Sequence, residues 1–304
     1  MIDTPPRVET TPVADTCEIR LLGACVRVSG TRTLLNELQS LFRLAATDGT
    51  AGGGWSHRPP VTTLTLRSET LGSGWYQIEQ DGVLMWRTND PHDVLASLEW
   101  AVNNAVVKQL GNRYLLFHAG AVARNGSGIL LPAIAGSGKT TLVAGLISGG
   151  AFDYFSDEVG VLDLSTQMLL PFAKSLSVKD GSRAVLSPMY PWLDDTLSGR
   201  RFGGRHVWHL RPPDRTAGHS RVPVRYVVFP HYRADALTRL DPVSRSTALA
   251  RLMEQSFSLR EHGADGMRAL VRVLGQAECY TLTIGMLDQA IKLMYRLTGE
   301  VCDE

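Results

Sequence analysis

The run Ala133-Ile-Ala-Gly-Ser-Gly-Lys-Thr-Thr141 combines the residue types that can hold a triphosphate. Glycines 136 and 138 permit positive φ and carry no Cβ, so successive backbone N–H groups can converge on phosphate oxygens at the positive end of a helix. Lys139 would place a compact ammonium on the β- and γ-phosphates, and the Thr140 hydroxyl would sit on Mg²⁺. Ala135, Gly136, Ser137, Gly138, Lys139, Thr140 and Thr141 are therefore the expected nucleotide-holding set. A departure from the pattern GxxxxGK[ST] is Ala133, which stands where the first glycine belongs. Beyond the loop comes Ser156-Asp157-Glu158. A carboxylate there can orient Mg²⁺ or accept a proton from an attacking hydroxyl, and two adjacent acids can divide those roles. Together these residues point to phosphoryl transfer from ATP.

Other charged residues are weaker candidates. Of 31 Lys+Arg only Lys108, Lys139, Lys174, Lys179 and Lys292 are lysines, so a lysine inside a glycine loop suggests a need for a point charge rather than a planar fork. Arg201, Arg205, Arg211 and Arg215 lie in a Gly- and Pro-bearing run. That composition predicts a mobile segment able to close on nucleotide and bring a charge to the transition state, with Arg205 and Arg211 preferred and Lys179 a further candidate. His118 follows Tyr114, Leu115, Leu116 and Phe117 and on those neighbours reads as a core or edge residue rather than a catalyst. No second His or Cys stands at ligand spacing from it. His206 and His209 flank Val207-Trp208 with strand character and read as structural.

The order His118, a hairpin at Asn125-Gly126, Gly136-Ser-Gly-Lys-Thr140, a helix, and Asp157-Glu158 resembles the HPr kinase/phosphorylase family. The resemblance implies that Asp157 is the base that deprotonates the acceptor hydroxyl, that Glu158 assists Mg²⁺ and that His118 tunes the base. The chain also resembles the divergent HPr-kinase-like enzymes of peptide modification, including lasso peptide kinases that phosphorylate a precursor serine. Ser156-Asp157-Glu158, Pro171-Phe172 and Ser175-Leu-Ser-Val-Lys179 carry that second likeness. The Glu-x-Arg-Gly-x-Gly signature of the bifunctional enzymes is not found downstream of the acids, which argues against phosphorylase activity and against HPr as substrate.

These groups need elements to position them. Ile129, Leu130 and Leu131 suit a buried strand before the loop, and Leu142, Val143, Leu146 and Ile147 a helix after it, ending at Gly149-Gly150. Ala151 to Phe155 reads as a strand that delivers the acids at its C-terminal end. Upstream, the expectations are a disordered leader over residues 1–16, a strand from Glu18 to Val28, and a helix bearing Leu34, Leu35, Leu38, Leu41 and Phe42. A Gly-rich loop from Thr47 to Pro60 and a strand from Val61 to Arg67 come next. Trp75 to Ile78 pairs with Val83 to Trp86 through Asp81-Gly82, and a helix opens at Asp90-Pro91 with Val94, Leu98, Val102 and Ala105 on one face. Later come a strand from Val224 to Phe229 and a helix capped by Ser244 with Leu249, Leu252 and Met253. A helix from Met267 to Leu274, a strand from Cys279 to Thr283 and a helix from Leu287 to Leu297 complete the reading.

The predicted fold class is α/β, a P-loop kinase core of the HPr kinase C-terminal type over residues 111–304 with a small α+β N-terminal domain over residues 17–110. At 304 residues, 44% hydrophobic and 20% charged, the chain has the composition of an ordinary globular protein. A net charge of +1 makes no case for nucleic acid or membrane binding. Cys17, Cys25, Cys279 and Cys302 form no CxxC pair, as expected of reduced thiols in the cytoplasm. The polar start carries no signal peptide and no apolar run reaches membrane-helix length. Asn125-Gly-Ser127 is thus read as a turn rather than a glycan site. The expected activity is an ATP- and Mg²⁺-dependent kinase acting on a hydroxyl, foremost a serine of a peptide or protein. Alternatives are a kinase for free serine or a sugar, or a nucleotide sensor without turnover, and a homo-oligomer stays open.

Overall fold

The computed structural model describes residues 15–42, 61–68, 74–194, 200–202, 205–212 and 221–299. Residues 1–14 of the expected leader, the Gly-rich segment from Thr47 to Pro60, Arg215 and Cys302 lie outside them. The chain divides into two compact units, Met1–Gln109 with Arg200–His206, and Leu110–Gly199 with Val207–Glu304.

In the first unit, β1 (Asp15–Leu21) and β2 (Ala24–Gly30) form an antiparallel hairpin. This corrects the single strand expected from Glu18 to Val28. The turn is Leu22-Gly23, both at positive φ (51° and 89°), as a two-residue hairpin turn requires. A leucine in that role hid the turn inside an apolar run. Then α1 (Arg32–Leu41) buries Leu35, Leu38 and Leu41, and β3 (Val61–Ser68) pairs parallel with β2. β4 (Tyr76–Gln80) and β5 (Val83–Thr88) meet through the Asp81-Gly82 turn, completing the order β1-β2-β3-β4-β5. The Asp90 carboxylate accepts the His92 N–H and opens a short 3-10 turn into α2 (Val94–Leu110), whose Val94, Leu98, Val102 and Ala105 are buried. Near the end of α2, the Gln109 amide bonds the backbone N–H and carbonyl of Cys25 and the Thr62 hydroxyl, each at 2.9 Å.

The second unit is built on β6 (Tyr114–Arg124), β7 (Ser127–Pro132), β8 (Asp153–Ser156), β9 (Val159–Asp163) and β10 (Met168–Leu170), with α3 (Lys139–Ser148) between β7 and β8. Next come β11 (Leu176–Lys179), α4 (Asp180–Leu186), β12 (Arg200–Phe202), which belongs to the first unit, and β13 (Arg205–Leu210). β14 (Val222–Tyr232), β15 (Arg239–Pro242), α5 (Arg245–Glu254), α6 (Leu259–Gln276), β16 (Glu278–Ile284) and α7 (Leu287–Leu297) complete it. The expected mobile segment from Arg201 to Arg215 is in its described part largely strand. Val207, Trp208 and Leu210 are well buried and β13 pairs with β11.

The large sheet runs β10-β9-β6-β7-β14-β16-β15, with β8 also on β6, and β10 pairs a second time with the start of β14, so the sheet curls on itself. β6 is almost wholly buried, which explains its continuous apolar sequence. β7, β14 and β16 are parallel, so their C-terminal ends share one edge. Phe117, Leu130, Phe155, Val227 and Phe229 pack against Leu252 of α5 and Leu270, Val273 and Leu274 of α6. The inner residues of α5 are Ala248 and Leu252, four apart on one face. Met253, next along the helix, is exposed.

Candidate functional site

A cavity of about 830 Å³ opens at the C-terminal ends of β7, β14 and β16, where open α/β sheets bind ligands and within the size range of ligand pockets, about 300–1,000 Å³. One wall is polar: Gly136, Gly138, Lys139, Thr140, Thr141, Asp157, Glu158, His118 and Lys179 line it. Val185, Pro188, Met189, Ile284, Met286 and Leu287 give the lining its apolar wall.

The loop from β7 to α3 has the shape its glycines predict. Gly138 caps α3 in the left-handed region (φ 84°), and a Cβ there would also come within 3.1 Å of Tyr232 Cβ. The Tyr232 N–H donates to the Ser137 carbonyl (3.0 Å), and the Ser137 hydroxyl donates to the Ile134 carbonyl (2.7 Å). Ser137 is thus a buried strut of the loop that does not line the cavity, whereas Ala135, Gly136 and Gly138 through Thr141 do. The Thr141 hydroxyl is shared with Ser182 of α4 (2.6 Å). Ala133 is not among the described residues with positive φ, so its backbone makes no demand for glycine.

The acids sit at a break in pairing. β8 and β9 both pair antiparallel with β6, and the chain crosses from one to the other at Asp157-Glu158, with a register shift beside Ala121 and the Ala119 N–H donating to the Glu158 carbonyl (3.3 Å). β6 also brings α3 close. A Cβ on Gly120 would lie 2.8 Å from Val143 Cγ2 and 3.3 Å from Lys139 Cγ, so glycine is what lets Lys139 lie down against this strand.

Asp157 and Lys139 are both buried, and neither Asp157 Oδ1 nor Lys139 Nζ has a hydrogen-bond partner among the described residues. Burial is the largest influence on the Asp157 carboxyl and raises its pKa to about 6, against the opposing pull of Lys139 and a hydrogen bond from Thr140 and with the push of Glu158. Burial likewise lowers the pKa of Lys139, with Asp157 and Glu158 opposing. His118 is lowered by burial and then by Lys139, which favours a neutral imidazole beside the acids. Glu158 Oε2 is ion-paired at 3.1 Å with Lys174, whose side chain is 3% exposed.

Two buried polar atoms of opposite charge without partners, beside a glycine cradle, fit a triphosphate with its divalent ion. No cluster of three or more His, Cys, Asp or Glu assembles among the described residues. Thr140, Asp157 and Glu158 all line the cavity beside the glycine loop and could hold Mg²⁺, which takes one or two carboxylates and completes its shell from phosphates and water.

Other candidates stand apart. Arg211 is exposed at the end of β13 and is not part of the cavity lining. Arg205 opens β13, and its side chain lies outside the described residues. His206 and His209 are strand residues of β13 and line no part of this cavity. Sequence reasoning missed Lys174, Gly120, Tyr232 and the apolar wall. The scarcity of lysine that singled out Lys139 applied equally to Lys174. The others depend on packing between distant segments, which leaves no local signal.

No family model matches the chain, and no curated protein matches it. Among solved structures the HPr(Ser) kinase/phosphatase from Coxiella burnetii is similar, at 12% identity over 60% of this chain and 97% of that one, with a TM-score of 0.26. A likeness at that score carries no argument about activity, so the chemistry has to be read from the side chains. No helix among the described residues is long and apolar enough to cross a membrane.

Proposed function

We propose that this chain is a kinase that transfers the γ-phosphoryl group of ATP to a hydroxyl, foremost a serine of a peptide or protein in peptide modification. The observation that carries the reading is the buried, unpartnered pair Lys139 Nζ and Asp157 Oδ1 at the glycine-loop end of the cavity. Gly136 to Thr141 would hold the triphosphate by backbone N–H groups at the start of α3, and Lys139 would meet the growing charge on the β/γ bridge. The chemistry Mg²⁺ supplies when bound is charge neutralisation on the phosphates, and Thr140, Glu158 and Asp157 are the residues that would hold it. Asp157 would take the acceptor's hydroxyl proton as the new O–P bond forms and the bond to ADP breaks. A carboxyl that titrates near 6 is mostly ionised at neutral pH yet more basic than an exposed aspartate. His118 stays neutral beside it. The serine acceptor rests on the motif resemblance alone, and the same groups would serve a small-molecule hydroxyl. Ala133, the feature favouring a sensor without turnover, loses weight because its backbone is ordinary.

The test is incubation with ATP, Mg²⁺ and a panel of serine-containing peptides, following ADP and phosphopeptide together. Equal amounts of both are expected, and the phosphopeptide should persist when enzyme, Mg²⁺ and inorganic phosphate are later added without ATP. Tight nucleotide binding with no product from any acceptor would leave the sensor.

A further inference from the structure

The Lys174–Glu158 pair is lopsided. Lys174 is 2% exposed, and its ammonium reaches Glu158 Oε2 at 3.1 Å and the Ser175 carbonyl at 3.5 Å. Glu158 lines the cavity with its side chain 37% exposed. The lysine is therefore out of reach of anything bound in the cavity, while the carboxylate it holds is not. The stretch carrying Lys174 is fastened to the strand carrying the acids: the Phe172 N–H donates to the Phe155 carbonyl and the Tyr154 hydroxyl to the Lys174 carbonyl, both at 2.8 Å. A buried lysine on so firm a mount is not the cheapest way to fill a core, since an apolar side chain there would avoid desolvating a charge.

We infer that Lys174 is a positioning residue that holds the Glu158 carboxylate at the cavity wall and offsets its charge, keeping the site's hold on a divalent cation weak until phosphates are present. The inference rests on the reading of Asp157-Glu158 as the cation-facing pair. Asp157 and Glu158 face Lys139 and Lys179 at this wall, and removing Lys174 from behind them would make the wall one charge more negative and strengthen its own hold on a cation. Lys174 is ion-paired to Glu158 and acts on Asp157 and Lys139 through space, so its influence should shrink when the Glu158 charge is removed.

The experiment is a double-mutant cycle read by binding, with a fluorescent ATP analogue titrated against Mg²⁺ on the full chain, and melting temperature followed in parallel. Lys174→Met should lower the Mg²⁺ concentration at half-maximal nucleotide binding by at least about threefold, through loss of an opposing charge. Lys174→Arg should keep the parent value. In the Glu158→Gln background, Lys174→Met should shift the midpoint by a clearly smaller factor, and this double variant, which replaces the ion pair by uncharged groups, is the folded comparator. A shift of equal size in both backgrounds, or a change in melting temperature with no shift in midpoint, would overturn the inference and leave Lys174 a structural residue. A parent that binds no nucleotide at any Mg²⁺ concentration would instead bring down the kinase reading, and this inference with it.

Discussion

Asp157 and Lys139 share a wall of the cavity with their charges held out of water, and that cost shows itself differently in fold and in function. Lys139→Ala removes the cation facing the β/γ-phosphates and should lower phosphotransfer by at least about a hundredfold, the scale of losing one preorganised electrostatic contact. Asp157→Asn should abolish transfer while leaving ATP binding largely intact, because a base acts in the chemical step. Equal loss of nucleotide affinity in Asp157→Asn and Glu158→Gln would make the pair a cation site without a base. The raised pKa of Asp157, about 6 against an ordinary 3.8, gives opposite signs with pH. Activity that needs the carboxylate should fall as pH drops through 6. The folded state binds the proton more readily than the unfolded chain, so burying this carboxylate costs stability above 6 and the cost fades as pH falls toward 4. Asp157→Asn should accordingly melt above the parent at pH 7, with the gap closing near pH 4; a gap that widens on acidification would contradict this assignment.

At the level of elements, the loop, α3 and the acids were legible because their signals are local: glycines before an apolar helix, a Gly149-Gly150 stop, and two acids after a short strand. The β1–β2 hairpin was not, since Leu22 takes a positive φ that its residue type does not advertise. Nor was the apolar wall from α4 and the start of α7, because only the closing of distant segments shows which side of a short helix faces a ligand. Gly120 belongs to the same class, its need being set by Val143 and Lys139 across the strand–helix contact. Gly120→Ala should push the first turn of α3 off β6, costing about 1–3 kcal/mol as overpacking does, and should weaken nucleotide binding more than Ala substitution at Gly181, which has open space around it. Chemical denaturation and nucleotide titration of both variants check this.

For the whole molecule, the grouping of Arg200–His206 with the first unit joins parts of the chain no local pattern connects. The cavity is lined from the second unit alone. Saturating Mg²⁺ and ATP should therefore slow hydrogen exchange at residues 134–141, 157–158 and 284–288. The gain in global stability should be about 2.7 kcal/mol at a nucleotide concentration near 100 times Kd. Protection concentrated in β1 to β5 instead would place the nucleotide elsewhere.

The bond from the Tyr232 amide to the Ser137 carbonyl ties the glycine loop to the end of β14 before any ligand arrives. A phosphate-binding loop left slack would have to be ordered by each incoming nucleotide, and capture would be gated by the fraction of time it spent in shape. Here that ordering belongs to folding, so encounter frequency rather than loop closure should govern how fast ATP is taken up. Differences in affinity between nucleotides would then be written in their residence times.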